Sequence, residues 1–68
     1  MEKGKVKRII QEKEYGFIEM EGEEELLFHK QCLWNIDFQD LQQGQKVEFE
    51  VVNAYHGRLA FHVRPSED

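Results

Sequence analysis

The chain has 68 residues, a formal net charge of −5 and a single cysteine, Cys32. This length predicts one domain, residues 1–68, with a modest core, and one cysteine excludes an internal disulfide and a four-thiolate metal site. No apolar run approaches the roughly 18–20 residues that a membrane span needs, and the charged start lacks the apolar stretch of a signal peptide. We therefore expect a complete cytoplasmic protein.

Charge is unevenly distributed along the chain. Residues 1–18 carry five cations and three anions, whereas residues 19–25 carry five glutamates and no cation. The acidic run is typical of a solvated turn, and the alternative is that it repels misplaced phosphate. Net negative charge counts against nucleic-acid binding when it is taken alone, but the basic first segment leaves that function open.

The first two predicted strands cover residues 3–11 and 15–20. In the second strand, an inward face formed by Ile18 and Met20 places Tyr15 and Phe17 on the solvent side. Aromatic rings on the solvent side of a strand indicate a binding function, because such large side chains are normally buried. The opposite phase would bury both rings, and the residues alone leave that alternative open.

The third predicted strand, residues 25–29, alternates in the same way. Leu26 and Phe28 point inward, and Leu27 and His29 point outward. Residues 30–46 have no clean period, which predicts a loop with a helical turn. We expect Cys32 to pack beneath this loop as a small apolar residue.

The last two predicted strands cover residues 46–53 and 58–64. The fourth strand places on its inner face Val47, Phe49 and Val51. The same alternation in the fifth predicts Leu59, Phe61 and Val63 inside, with Ala60 and His62 outside. Since five short strands in so few residues cannot leave long exposed edges, we expect an all-β, five-stranded antiparallel barrel.

The outer surface of this barrel has aromatic rings at its centre and cations at its rim. Flat rings stack on bases of any identity, and cations hold the phosphates between them. Gly16, between the two exposed rings, is expected to let a base approach the backbone closely.

Two motifs in the chain resemble those of a known family. Residues 13–18, Lys-Glu-Tyr-Gly-Phe-Ile, resemble the first ribonucleoprotein-type motif of cold-shock domains, and residues 26–29, Leu-Leu-Phe-His, resemble the second. Residues 4–7 are similar to the family's opening, and the match runs nearly the whole chain. The resemblance implies an oligonucleotide-binding barrel that binds single-stranded RNA or DNA. It also implies a role as an RNA chaperone or as a regulator of transcription or translation.

The chain departs from the family at four surface positions. The family usually has tryptophan at Arg8, phenylalanine at Leu27 and often at Lys30, and glycine at Glu14. Three stacking rings are therefore absent, while Arg8 and Lys30 add cations. Since stacking contributes roughly 1–3 kcal/mol per base, we expect weaker binding that depends more on phosphate contacts and on salt.

The residues and the resemblance together predict a nucleic-acid-binding face. Its members are Lys7, Arg8, Lys13, Tyr15, Phe17, Leu27, His29, Lys30, Trp34, Phe38, His56 and Arg58. Phe38 either caps a base, as the family implies, or anchors the loop, and Trp34 either packs or replaces a missing ring. His56 and Arg58 either contact the ligand or are solvated turn residues.

Catalysis and cofactors are not expected. No nucleophile–base pair or phosphate-cradling glycine loop is apparent, and His29, His56, His62 and Cys32 follow no metal-binding spacing. A second hypothesis is a protein–protein module on an eroded barrel, with an apolar patch of Leu27, Trp34 and Phe38. We expect a monomer, and a homodimer by strand exchange stays open.

Overall fold

A computed structural model of the protein describes residues 2–20, 25–55 and 57–66. Its five strands are β1 (Glu2–Ile10), β2 (Tyr15–Met20), β3 (Glu25–His29), β4 (Lys46–Ala54) and β5 (Gly57–Pro65). They close into a barrel in the order β1-β2-β3-β5-β4, which confirms the predicted all-β barrel. The described part of the chain contains no helix with the length and apolar character of a transmembrane span.

Short 3-10 turns connect the strands. They lie at Gln11–Lys13, Lys30–Cys32 and Phe38–Asp40. The last two fall within the segment that was predicted to be a loop with a helical turn. Cys32 is buried in the core as a free thiol, as expected.

The barrel interior is filled by the inward faces predicted for β2, β3 and β4. Ile18, Phe28, Val47 and Phe49 are fully buried, and Met20 packs against this core. Since side chains alternate across a strand, burial of Ile18 directs its two aromatic neighbours in β2 to the outer surface. The alternative phase, with the rings inside, is therefore wrong.

Strand direction differs from the prediction at one place. Four neighbouring pairs are antiparallel, but β3 and β5 run parallel, with Leu27 opposite Leu59. These two strands are not consecutive in the chain, because β4 lies between them in sequence. The connection that crosses from β3 to β4 allows β5 to return beside β3 in the same direction and close the barrel.

The inward face of β5 was predicted incorrectly. Ala60 is fully buried and Phe61 is 39% exposed, the reverse of the simple alternation. Glu50 pairs with Phe61 and Glu48 pairs with Arg64. One residue lies between these pairs on β4 and two lie between them on β5, so β5 has an extra residue. A bulge of this kind resets the alternation, so that Val63 is buried again although Phe61 is not.

Gly16 is required by packing in the barrel interior. A Cβ atom at this position would lie 2.6 Å from the Arg8 carbonyl oxygen and 2.8 Å from the Phe28 ring. The missing side chain therefore leaves space that the Phe28 ring and the neighbouring backbone occupy. Close approach of a base to the backbone at this glycine stays a prediction.

Candidate nucleic-acid interface

Three rings lie together on the outer face of β2 and β3. Tyr15 pairs with His29, and Phe17 pairs with Leu27. The Tyr15 ring lies 5.9 Å from Phe17, edge to face, and 6.1 Å from His29, both measured between ring centroids. All three are at least partly exposed. We call Tyr15, Phe17 and His29 the aromatic face.

A bulge in β1 brings Arg8 against this face. Val6 lies opposite Ile18 and Arg8 opposite Phe17, so Lys7 is the extra residue on β1. The guanidinium carbon of Arg8 lies 5.2 Å from the centroid of the Phe17 ring. A guanidinium plane held by a ring can itself stack on a base or contact phosphate.

Two lysines at the rim are held by glutamates. Lys7 Nζ donates to Glu25 Oε2 at 2.6 Å, and Lys30 Nζ donates to Glu14 Oε2 at 3.0 Å. The hydrogen bond and charge of Glu25 raise the pKa of Lys7, and the hydrogen bond and charge of Lys7 lower the pKa of Glu25. Because both pairs are exposed, they contribute little to stability, and a phosphate can replace either carboxylate.

Glu14 has a left-handed backbone conformation. Its φ is 58° and its ψ is 42°, directly after the turn Gln11–Lys13. The Glu14 carbonyl accepts a hydrogen bond of 3.0 Å from the Lys30 backbone N–H. Glycine adopts this conformation without steric cost, whereas a residue with a side chain is strained in it.

A cleft adjoins the aromatic face where β3 ends. Its volume is about 650 Å³, and it is lined by Gln11, Glu14, Lys30, Asp37, Phe38 and Gln39. Polar groups and charges of both signs form most of these walls. The Lys30–Glu14 ion pair therefore forms part of the cleft wall, and its two residues directly neighbour His29 and Tyr15 in the sequence.

Phe38 and Trp34 pack against residues outside the aromatic face. Phe38 is 6% exposed and packs against Phe28 at 6.3 Å between ring centroids, which supports the loop-anchor alternative. Trp34 is 47% exposed and contacts His62 and Arg64 rather than the aromatic face. The apolar patch of Leu27, Trp34 and Phe38 is therefore not formed, because one of its members is buried.

Three more of the predicted residues lie on described elements of the barrel surface. Leu27 is half-buried on β3, Lys13 is exposed on the first 3-10 turn, and Arg58 is exposed at the start of β5. His56 lies outside the described residues. Within the described ranges, no group of three His, Cys, Asp or Glu side chains could hold a metal ion.

Comparison with known proteins agrees with this geometry. The sequence profile of the "'Cold-shock' DNA-binding domain" matches residues 2–66. The chain belongs to the cold-shock domain family. It is 41% identical over 63 residues to the cold shock protein CspB of Geobacillus stearothermophilus, covering 93% of this chain and 96% of that protein. The same identity and coverage relate it to the cold shock-like protein CspD of Bacillus cereus.

Family membership explains why the two motifs lie side by side. In this cold-shock domain the first motif runs from the preceding turn into β2 and the second lies within β3, and β2 and β3 are hydrogen-bonded neighbours. Two features of the site were not predicted from the sequence: the lysine–glutamate pairs and the stacking of Arg8 on Phe17. Both depend on residues that are distant in sequence and meet only in the folded barrel.

Proposed function

We propose that this cold-shock domain binds single-stranded RNA or DNA across the aromatic face, in a role without catalysis. The observation that carries the proposal is the grouping of Tyr15, Phe17 and His29 on one outward surface, with Arg8 held on Phe17. Unpaired bases can stack on rings that are exposed in this way, and adjacent cations bind the phosphates. Membership of the cold-shock domain family supports the same role.

Stacking and charge make different contributions to this binding. Each stacked base adds roughly 1–3 kcal/mol with little dependence on base identity, so sequence preference is slight. Phosphate contacts add affinity that falls as salt concentration rises. We expect a bound length of about 5–7 nucleotides, within the usual range for such a barrel.

An RNA-chaperone or regulatory role follows from mass action. A protein that binds the single strand and not the duplex shifts the equilibrium toward unpaired strands in proportion to its free concentration. No energy source is needed. We propose that the protein acts in this way as a monomer in the cytoplasm, on transcripts or on exposed single-stranded DNA.

Fluorescence anisotropy of a labelled oligothymidine, titrated at low and high salt, tests the proposal. Phe17→Ala is expected to weaken binding by about 1–3 kcal/mol and to leave the fold intact, because Phe17 is outside the core. Phe49→Ala is expected to destabilise the barrel by about 3–5 kcal/mol, because Phe49 is fully buried. The milder Phe49→Leu keeps a folded population whose affinity per folded molecule matches that of the unmodified protein.

Two results would contradict the proposal. One is the absence of binding at tens of micromolar protein in low salt. The other is a Phe17→Ala variant that unfolds while its affinity per folded molecule stays unchanged, since the ring would then serve the fold and not the ligand.

A further inference from the structure

A second exposed aromatic surface lies on the barrel outside the aromatic face. Trp34 is 47% exposed and Phe61 is 39% exposed. The His62 ring lies between them, with its centroid 5.3 Å from Trp34 and 4.4 Å from Phe61. The Arg64 guanidinium carbon lies 4.8 Å from the Trp34 ring centroid. We call these four residues the Trp34 cluster.

The backbone holds the Trp34 cluster in place without burying it. The Trp34 N–H donates to the Val63 carbonyl at 2.8 Å, next to the bridge between Leu33 and Val63. The bulge in β5 gives His62 a φ of 54°, and its Nδ1 lies 2.9 Å from Glu50 Oε2. Large apolar side chains that are fixed and still exposed indicate a binding partner.

The Trp34 cluster is continuous with the aromatic face. Leu27 pairs with Leu59 in parallel register, so His29 and Phe61 each lie two residues further along the same outer surface. The chain then passes from His29 through the turn Lys30–Cys32 to Trp34 beside β5. Five residues span at most about 17 Å, so the two surfaces lie within reach of one oligonucleotide.

The charges of the cluster favour a base over a phosphate. Arg64 Nε lies 3.8 Å from Glu48 Oε1, and His62 is paired with Glu50. Each of these two side chains thus has a carboxylate beside it, which a phosphate would have to displace, as at the rim lysines. What the cluster offers is an indole, a phenyl ring and an imidazole, all of which stack on bases.

We propose that the Trp34 cluster is an additional stacking site for an unpaired nucleobase of the strand that lies on the aromatic face. The inference rests on the proposed function and extends it. With this additional site, the protein contacts a longer stretch of the strand than the aromatic face alone would. Because the added contact is stacking rather than charge, the added affinity depends little on salt.

Trp34 is the sole tryptophan of the chain, so its fluorescence reports on this site directly. Oligothymidines of increasing length are titrated while anisotropy reports total binding and tryptophan emission reports the Trp34 cluster. Short strands are expected to bind without changing the emission, whereas longer strands quench it. A longer strand also gains affinity simply because it can bind in more registers. The measured gain from short to long strands is expected to exceed this statistical gain by about fivefold or more, which is the contribution of one stacked base.

Variants at position 34 separate stacking from general apolar contact. Trp34→Phe retains a ring and is expected to keep the extra gain with length, whereas Trp34→Leu is apolar without a ring and is expected to lose it. Short-strand affinity and melting temperature stay unchanged in both. Phe17→Ala, in contrast, weakens strands of every length.

Several outcomes would overturn the inference. Strands of all lengths that bind without quenching Trp34, or equal gains with length in Trp34→Leu and the unmodified protein, would show that bases do not reach the cluster. Self-association in sedimentation that Trp34→Leu abolishes, without any effect on long-strand binding, would assign the surface to a second copy. Absence of binding to every strand by anisotropy would instead refute the proposed function itself.

Discussion

Replacing Glu14 with glycine tests both the backbone and the charge at the edge of the aromatic face. A non-glycine residue in the left-handed region costs about 1–2 kcal/mol, and Glu14 lies there with φ 58°. Against this gain, the glycine variant loses about 0.4–1 kcal/mol of folding stability, because glycine gives the unfolded chain greater conformational freedom. The Lys30–Glu14 pair that is lost is more than half exposed on both sides, so solvent screening leaves its contribution near the lower end of 0–1 kcal/mol.

These terms give a net stabilisation of about 0.5 kcal/mol for Glu14→Gly, which corresponds to ~2–4 °C in melting temperature for a domain of this size. The same change releases Lys30 for a phosphate. One additional phosphate contact steepens the dependence of log affinity on log salt by about 0.7 for a single strand. Thermal denaturation measures the first effect, and oligothymidine titrations at several salt concentrations measure the second.

Glu14→Gln is the matched control, because it removes the charge and keeps the backbone strain. It is expected to steepen the salt dependence as Glu14→Gly does, with no gain in melting temperature. In a Lys30→Ala background, neither change alters the salt dependence. A Glu14→Gly protein less stable than the original by more than about 1 kcal/mol would refute the strain argument. Unchanged salt dependence in both variants would show that Lys30 does not contact phosphate.

Three further changes probe other parts of the site and the fold. Because the pKa of Glu25 is lowered, the ion pair of Glu25 with Lys7 is present above the ordinary carboxyl range and is lost as pH falls through the lowered pKa. Loss of the pair releases Lys7 for a phosphate, so oligothymidine affinity is expected to rise on acidification. Glu25→Gln is expected to show this higher affinity already at neutral pH. Gly16→Ala is expected to destabilise the barrel by about 1–3 kcal/mol through overpacking, with unchanged affinity per folded molecule, as a melt combined with titration would show. Arg8→Trp is expected to tighten binding and flatten its salt dependence, since a ring replaces a cation; unchanged affinity would mean that position 8 does not touch the strand.

Strands β2, β3 and β4 could be predicted because no extra residue shifts the alternation of their buried positions. The predicted inward residues Ile18, Phe28 and Phe49 are all fully buried, although the residues of β2 alone had left the opposite phase open. Strand β5 could not be predicted in this way. Leu59, Ala60 and Phe61 are consecutive apolar residues, which leaves the phase undetermined, and the bulge that decides it depends on pairing with β4.

The aromatic face could be predicted, since Tyr15 and Phe17 follow directly from the phase of β2 and the motif locates them. The partners of the rim lysines could not. Lys7 and Glu25 are 18 residues apart, and Lys30 and Glu14 are 16 apart, so only the folded barrel brings them together. The Trp34 cluster has the same origin, because the bridge between Leu33 and Val63 creates it.

The parallel junction of β3 and β5 has a consequence for local opening. It is paired only at Leu27 with Leu59 within the described strands, whereas β4 and β5 are paired along most of their length. Amide protons along this seam should therefore exchange through small fluctuations that leave the rest of the barrel closed. An oligonucleotide that lies across the seam would favour its closed form, so ligand binding would slow exchange there more than elsewhere.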